Sequence, residues 1–151
     1  MGVISLKDYK NPNIRRELIM KHYSTPSFKN ALSEADINAY SNHCVDELHI
    51  SLTFNSNVLK TAKWDGIGCA IFQSSTDIML GLIIGKTKEE INYLLINYEN
   101  LINQINEKVD EEAIGKLMIY SDVKAQLNRL NCANMVSQAL IKFLNNKNTR
   151  D

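Results

Sequence analysis

A strict alternation of apolar and polar residues runs through the middle of the chain. From Leu48 to Phe54 every second residue is apolar, and the residues between them are polar. Successive side chains of a β-strand point to opposite faces, so this pattern predicts a strand with one buried face. The turn-forming segment 55–57 follows, and the β-compatible run Val58–Trp64 predicts the second arm of an antiparallel hairpin. An earlier strand at 38–41 is compatible with the local pattern but is not established by it.

Helical periodicity surrounds this hairpin on both sides in the sequence. Apolar residues at helical spacing predict four helices, at about Asn13–Tyr23, from Cys69 to Ile84 with one buried side, from a Thr87 cap to Ile105, and at about Leu130–Leu144. Between and after them we expect a flexible loop over Asp65–Gly68, an exposed acidic stretch over 106–115 and a frayed polar tail over 145–151. Strands in the middle with helices on either side predict an α+β fold of two layers with an antiparallel sheet.

Length and charge restrict the class of protein. A chain of 151 residues suits a single domain over 1–151. Its 17 Lys and Arg residues balance 17 Asp and Glu residues, so it lacks the broad basic field that non-specific nucleic-acid binding requires. The sequence contains no apolar segment with the length of a signal peptide core or a membrane span. We therefore expect a cytoplasmic domain that binds neither nucleic acid nor a membrane.

The three cysteines, Cys44, Cys69 and Cys132, carry the candidate chemistry. An odd number cannot pair completely, which excludes a simple extracellular disulfide framework. Cys69 and Cys132 are predicted at helix starts, where the partial positive charge favours a thiolate. Asp46 lies two residues after Cys44 and would share its face in an extended segment, and a set of three cysteines and one aspartate suits tetrahedral Zn²⁺. Because the sequence has no C-x-x-C pair, three buried and unrelated cysteines remain the alternative interpretation.

Three histidines and one arginine complete the set of candidate residues. His43 directly precedes the first cysteine and is an alternative ligand, although a surface loop residue is the favoured interpretation. His49 is predicted on the polar, solvated face of its strand, and His22 is predicted to be a residue of the first helix that packs near the following turn. Arg129 lies three residues before Cys132, where it is either a surface cation or helps to hold a thiolate or an incoming persulfide.

Four segments of the chain match the motifs of a known family, over a range from about 14 to 144. They are Glu17–Tyr23 followed by Pro26, Cys44–Asp46, Trp64–Ile71 followed by two serines, and Arg129–Ala133. Cysteines in these contexts and in this order are specific to the U-type iron–sulfur cluster assembly proteins, which comprise IscU, SufU and the N-terminal domain of NifU. The chain resembles this family.

Within the family, the chain is most similar to the SufU branch. The separation between Cys69 and Cys132 is long, as in that branch, and Asn131 stands where IscU proteins place a histidine. One departure is Val45, which replaces the usual glycine after the first cysteine and restricts the backbone there. The resemblance implies the SufE/NifU-like fold, a two-layer α+β domain whose three-stranded antiparallel sheet packs against helices.

The resemblance also implies a role for each matched residue. Cys44, Asp46, Cys69 and Cys132 would bind one Zn²⁺, and Cys44 would accept sulfane sulfur from the persulfide of a cysteine desulfurase of the SufS or IscS type, with Arg129 assisting. Downstream partners would be an iron–sulfur scaffold or apo-acceptor proteins. In an IscU-like alternative, the same four ligands hold a transient [2Fe–2S] cluster, so the protein is either sulfurtransferase-like or a non-enzymatic scaffold. A second alternative is a metal-stabilised binding module without sulfur chemistry.

Overall fold

The computed structural model describes residues 4–41, 46–105 and 108–150. Its strands are β1 (Ile37–Tyr40), β2 (Glu47–Asn55) and β3 (Val58–Ile67). Its α-helices are α1 (Pro12–Ser24), α2 (Ala70–Ile83), α3 (Lys88–Ile102), α4 (Glu111–Ile114) and α5 (Leu127–Arg150). Short 3₁₀ helices occupy Leu6–Lys10, Gly115–Tyr120 and Val123–Ala125. Within these described segments, no helix combines the length and the apolar character needed to cross a bilayer.

The three strands form one antiparallel sheet in the order β1-β2-β3. The alternation predicted for β2 is confirmed, because Leu48 and Ile50 are fully buried while His49 between them is only half-buried. Ile50 pairs with Ile37 on β1 and with Trp64 on β3, which brings three apolar side chains onto the face that the helices cover. The predicted hairpin, the early strand and the two-layer α+β architecture with a three-stranded antiparallel sheet are therefore present.

The predicted loop over Asp65–Gly68 is wrong for its first three residues. Strand β3 continues to Ile67, and Gly66 pairs with Leu48 on β2. A Cβ atom at Gly66 would overlap the carbonyl oxygen of Glu47, so a glycine lets the two backbones approach closely here. Gly66 is therefore not a point of flexibility, because the close approach of the two backbones lets β3 continue to Ile67, two residues before Cys69.

Helix α2 is the central helix, and it packs against α1, α5 and β3. It was predicted to be buried on one side, but all nine residues from Phe72 to Leu80 are buried. The polar residues among them are satisfied locally, since the hydroxyls of Ser75 and Thr76 both donate to the Phe72 carbonyl. Because core side chains surround this part of α2 on all sides, the packing of the core fixes the position of the N-terminus of this helix.

The other helix boundaries differ from the predictions by a few residues. Helix α1 agrees with its prediction, and Thr87 caps α3 in the predicted capping box with Glu90. Helix α3 ends at Ile102 rather than Ile105, and α5 begins at Leu127 and continues to Arg150, past the predicted end at Leu144. The frayed tail over 145–151 remains a prediction.

The acidic stretch 106–115 is only partly exposed. Residues 106 and 107 lie outside the described residues, and the acidic side chains at 110–112 are exposed as predicted. Ile114, at the end of α4, is instead completely buried in the core. The apolar residue anchors this segment to the domain, and the acidic residues before it remain on the surface.

Candidate metal centre

Three of the four predicted ligands lie together at one end of the sheet. The candidate ligand atoms of Asp46, Cys69 and Cys132 are all within 4.8 Å of one another. The Sγ atoms of Cys69 and Cys132 are 3.1 Å apart, and the Cys132 Sγ is 3.2 Å from Asp46 Oδ2. The fourth predicted ligand, Cys44, and its neighbours His43 and Val45 lie outside the described residues.

The sheet itself brings Asp46 and Cys69 together. Glu47 at the start of β2 pairs with Ile67 at the end of β3, so the residues just beyond this pair meet. Gly68 packs directly on the Asp46 side chain. There is no room for a larger residue, since a Cβ atom at Gly68 would overlap Asp46 Oδ1 and would lie 2.5 Å from the ring of Phe72. The next residue, Cys69, is the N-cap of α2, as the sequence predicted, and its side chain makes no capping hydrogen bond.

Cys132 was also predicted at a helix start, and this placement is wrong. Helix α5 begins at Leu127, so Cys132 lies in its second turn, beyond the reach of the partial positive charge at the helix terminus. Cys132 is buried, and its thiol donates to Asp46. Burial raises the pKa of the Cys132 thiol well above its ordinary range, and the hydrogen bonds with Cys69 and Asp46 raise it further. A metal ion would replace the protons that hold these side chains together.

Arg129 lies beside this cluster rather than in it. Its side chain is exposed, almost one helical turn before Cys132 on α5. It lines a cavity of about 410 Å³ together with Ala70 and Ile71, the first residues of α2 after Cys69. Arg129 therefore borders the same cavity as the first turn of α2, and a role for Arg129 in sulfur chemistry remains a prediction.

The two described histidines are outside the candidate centre. His22 is buried on α1, as predicted, and its Nδ1 lies 2.8 Å from Oδ2 of Asp77. His49 lies on the polar face of β2, as predicted, and is partly solvated. Its two ring nitrogens form hydrogen bonds with Asn38 and Glu47, at 2.6 and 3.0 Å.

Asp77 is a structurally important residue that the sequence analysis did not single out. Besides the His22 imidazole, it accepts hydrogen bonds from Trp64 Nε1 at 3.1 Å and from the backbone of Ser27 and Phe28 at 3.0 and 2.8 Å. Burial acts to raise the pKa of Asp77, but these hydrogen bonds together hold it below its ordinary value. The sequence signal that could have found it is that Asp77 is the only charged residue of α2.

Comparisons with known proteins identify the family. The family model for the NifU-like N-terminal domain matches residues 14–140. The iron–sulfur cluster assembly scaffold protein IscU of Thermotoga maritima is 31% identical over 118 residues, which cover 77% of this chain and 82% of that protein. The zinc-dependent sulfurtransferase SufU of Bacillus subtilis is 27% identical over 128 residues, which cover 84% of this chain and 86% of that protein.

Solved structures agree with the sequence comparisons. A candidate iron–sulfur cluster assembly scaffold protein for the SUF system from Fervidobacterium islandicum superposes with a TM-score of 0.76 at 30% identity, over 85% of this chain and 94% of that chain. The N-terminal NifU-like protein of Brucella abortus, at 18% identity, shares the fold with a TM-score of 0.74 over 95% of this chain and 99% of that chain. The match over residues 14–140 spans most of the sequence, and the chain belongs to the family of NifU-like N-terminal domains.

Proposed function

We propose that the chain is an iron–sulfur cluster assembly protein that holds one Zn²⁺ through Cys44, Asp46, Cys69 and Cys132 and accepts sulfane sulfur at Cys44 from a cysteine desulfurase. The observation that carries this proposal is the compact set of two sulfurs and one carboxylate at the end of the sheet. The name of the Bacillus subtilis relative, a zinc-dependent sulfurtransferase, supports the same function.

The donor set fits a single zinc ion. Thiolate and carboxylate ligands are typical of tetrahedral zinc, with metal–ligand distances of about 2.3 Å to sulfur and about 2.1 Å to oxygen. Ligand atoms within 4.8 Å of one another can all surround one ion of this kind. Zinc, when bound, supports the chemistry by keeping its cysteine ligands deprotonated.

The proposed sulfur transfer is a thiol–persulfide exchange. The Cys44 thiolate attacks the outer sulfur of the desulfurase persulfide, and a new sulfur–sulfur bond forms on Cys44. The original sulfur–sulfur bond of the desulfurase breaks, and its cysteine leaves as a thiolate. The exchange has no net oxidation or reduction. Arg129, which lines a cavity together with the first residues of α2, is proposed to offset the negative charge of the incoming persulfide.

The test combines metal analysis with desulfurase kinetics. Anaerobically purified protein is expected to contain about one equivalent of zinc, and the protein is expected to accelerate the turnover of a pyridoxal-phosphate cysteine desulfurase. Cys44→Ser should abolish the acceleration, and Asp46→Asn should lower the zinc content. The matched control is Asp36→Asn, a change to an exposed carboxylate just before β1. It should change neither the acceleration of the desulfurase nor the zinc content. If Cys44→Ser accelerates the desulfurase as well as the wild type does, Cys44 is not the sulfur acceptor.

An IscU-like scaffold is the second candidate, and the Thermotoga maritima relative named as a cluster assembly scaffold supports it. In that case the same ligands would hold a transient [2Fe–2S] cluster, with Asp46 as an oxygen ligand that keeps the cluster labile. A brown anaerobic protein that transfers its cluster to an apo-acceptor would favour this candidate over zinc. A metal-binding protein with no effect on desulfurase turnover and no cluster transfer would indicate a metal-stabilised binding module.

A further inference from the structure

We infer that Gln73 is a positioning residue for the candidate metal centre, because its buried amide fixes the peptide between Gly68 and Cys69. The Nε2 atom of Gln73 donates to the Gly68 carbonyl at 2.8 Å. The backbone N–H of Gln73 donates to the next carbonyl, that of Cys69, at 3.0 Å. Both carbonyl groups that flank the Cys69 Cα are therefore held by a single residue of α2. This inference rests on the proposed function, since it concerns the same metal centre.

Lys29 fixes the orientation of the Gln73 amide. Its ammonium donates to Gln73 Oε1 at 3.0 Å, and it also lies 5.0 Å from the ring centroid of Trp64. An ammonium group can only donate, so the amide oxygen must face Lys29 and the amide nitrogen must face Gly68. The interaction with the Trp64 ring holds the lysine in place, and the amide is thereby tied to a core residue of β3.

The position of Gly68 matters because the Asp46 carboxylate lies against it. The Cγ atom of Asp46 would be 3.0 Å from a Cβ atom at Gly68, so the side chain of Asp46 fills the space that a glycine leaves open. A shift of this peptide would move the Cys69 sulfur and displace the Asp46 carboxylate together. The Gln73 hydrogen bond therefore controls two candidate ligands through one backbone carbonyl.

The test compares Gln73→Leu with Asn97→Leu in the full chain. Asn97 is a matched control because it is a buried amide of α3 that donates to the Tyr93 carbonyl at 2.9 Å and accepts from the Asp110 N–H at 2.8 Å. The dissociation constants for Zn²⁺ and Co²⁺ are measured by competition with a chromophoric chelator. Thermal unfolding of the metal-free variants gives the loss of stability that each substitution causes on its own.

Gln73→Leu is expected to weaken Zn²⁺ binding by about 10- to 100-fold, the range found when residues that orient metal ligands are removed. Asn97→Leu should lower the stability of the metal-free protein to a similar degree and leave the affinity unchanged. The thiolate-to-Co²⁺ absorption band should change in Gln73→Leu alone. If Gln73→Leu does not fold, Gln73→Glu replaces it, because a carboxylate still accepts from Lys29 but cannot donate to Gly68.

Two results would overturn the positioning role while leaving the proposed function intact. One is a Zn²⁺ affinity equal to that of the wild type in both Gln73→Leu and Gln73→Glu. The other is a loss of Zn²⁺ affinity in Asn97→Leu as large as the loss in Gln73→Leu. A wild-type chain that binds neither Zn²⁺ nor Co²⁺ would contradict the zinc centre itself, and the positioning role would fall with it. The measurements on the wild type therefore separate failure of the function from failure of the inference.

Discussion

The Sγ atoms of Cys69 and Cys132 lie 3.1 Å apart, although Cys69 precedes the first turn of α2 and Cys132 lies within α5. The contact joins two helices that pack against each other along the core. Asp46, which directly precedes β2, accepts a hydrogen bond from Cys132 at the same place. An ion bound there would link the sheet to both helices, so metal binding and folding are expected to be coupled.

Zinc is therefore expected to stabilise the fold. A ligand that binds only the folded state at a free concentration 100 times its Kd contributes about 2.7 kcal/mol to the free energy of unfolding. The check is thermal unfolding with zinc and with excess chelator. Cys132→Ser should lose the zinc-dependent increase in Tm, whereas Ser137→Ala, a change to another small buried residue of α5, should keep it. An equal increase in both variants would mean that the zinc binds elsewhere.

Gly68→Ala is expected to lower metal affinity. The added methyl group would meet the Asp46 carboxylate and the Phe72 ring, and it would push a candidate ligand away from the two sulfurs. Zinc competition measurements should show a loss of at least about tenfold, the lower end of the range for disturbed ligand orientation.

Gly85→Ala is the control for this substitution. Gly85 has a positive φ of 87°, and apart from its chain neighbours no atom of the described residues lies within 4 Å of the place that an added methyl group would take. Alanine there strains the backbone without touching the metal centre. It should lower the stability by about 1 kcal/mol and leave zinc affinity unchanged. A Gly68→Ala protein with wild-type zinc affinity would show that the Asp46 carboxylate can move without weakening the binding of zinc.

The parts of the fold that the sequence predicted are those with a local signal. The alternation from Leu48 to Phe54 marks β2, and the Thr87–Glu90 pair marks the start of α3, because each pattern is contained in one segment. Cys69 was placed correctly at the junction of β3 and α2. The family resemblance, carried by the cysteine contexts, supplied the three-stranded sheet, and the set of four ligands that it implies stays a prediction.

The features that the sequence did not predict depend on contacts between distant segments. Gly66 was assigned to a loop because nothing local shows that its backbone approaches Glu47. Cys132 was predicted at a helix start because α5 begins at Leu127, before its apolar periodicity does. The hydrogen bonds of the Gln73 amide have no local sequence signal, because its partners Gly68 and Lys29 are brought to it by the fold.

Asp77→Ala is expected to destabilise the domain strongly. It would leave buried donors from His22, Trp64 and the 27–28 backbone without an acceptor, at a cost of about 3 kcal/mol or more. Asp122→Ala is the control, since this carboxylate pairs with Arg15 at the surface and its loss should cost about 1 kcal/mol or less. Urea unfolding at neutral pH measures both variants.

The contribution of Asp77 should also depend on pH. Its folded-state pKa is lowered below the ordinary value of 3.8, so the stabilisation is fully present above pH 3.8 and is lost as the pH falls through the lower folded-state value. The stability difference between wild type and Asp77→Ala should therefore narrow only in this acidic range. A difference that shrinks between pH 7 and pH 5 would contradict the assignment to Asp77.

Glu99→Gln is expected to raise stability at neutral pH. Burial raises the pKa of Glu99, although the hydrogen bonds from Ser137 and Gln138 act in the opposite direction. A carboxyl group with a raised folded-state pKa favours folding below its ordinary value of 4.5, and this contribution is lost as the pH rises through the folded-state pKa. Glutamine keeps an oxygen to accept the 2.7 Å hydrogen bond from Ser137 and carries no charge to bury.

The measurement for Glu99 is Tm as a function of pH between 4 and 8. The variant should have a higher Tm than the wild type at pH 7, and the advantage should disappear towards pH 4. Glu89→Gln, an exposed change on the same helix, should show no such gain, because the hydrogen bond from Asn57 lowers the pKa of Glu89. A gain of equal size at pH 4 and pH 7 would indicate an effect of packing rather than of the buried charge.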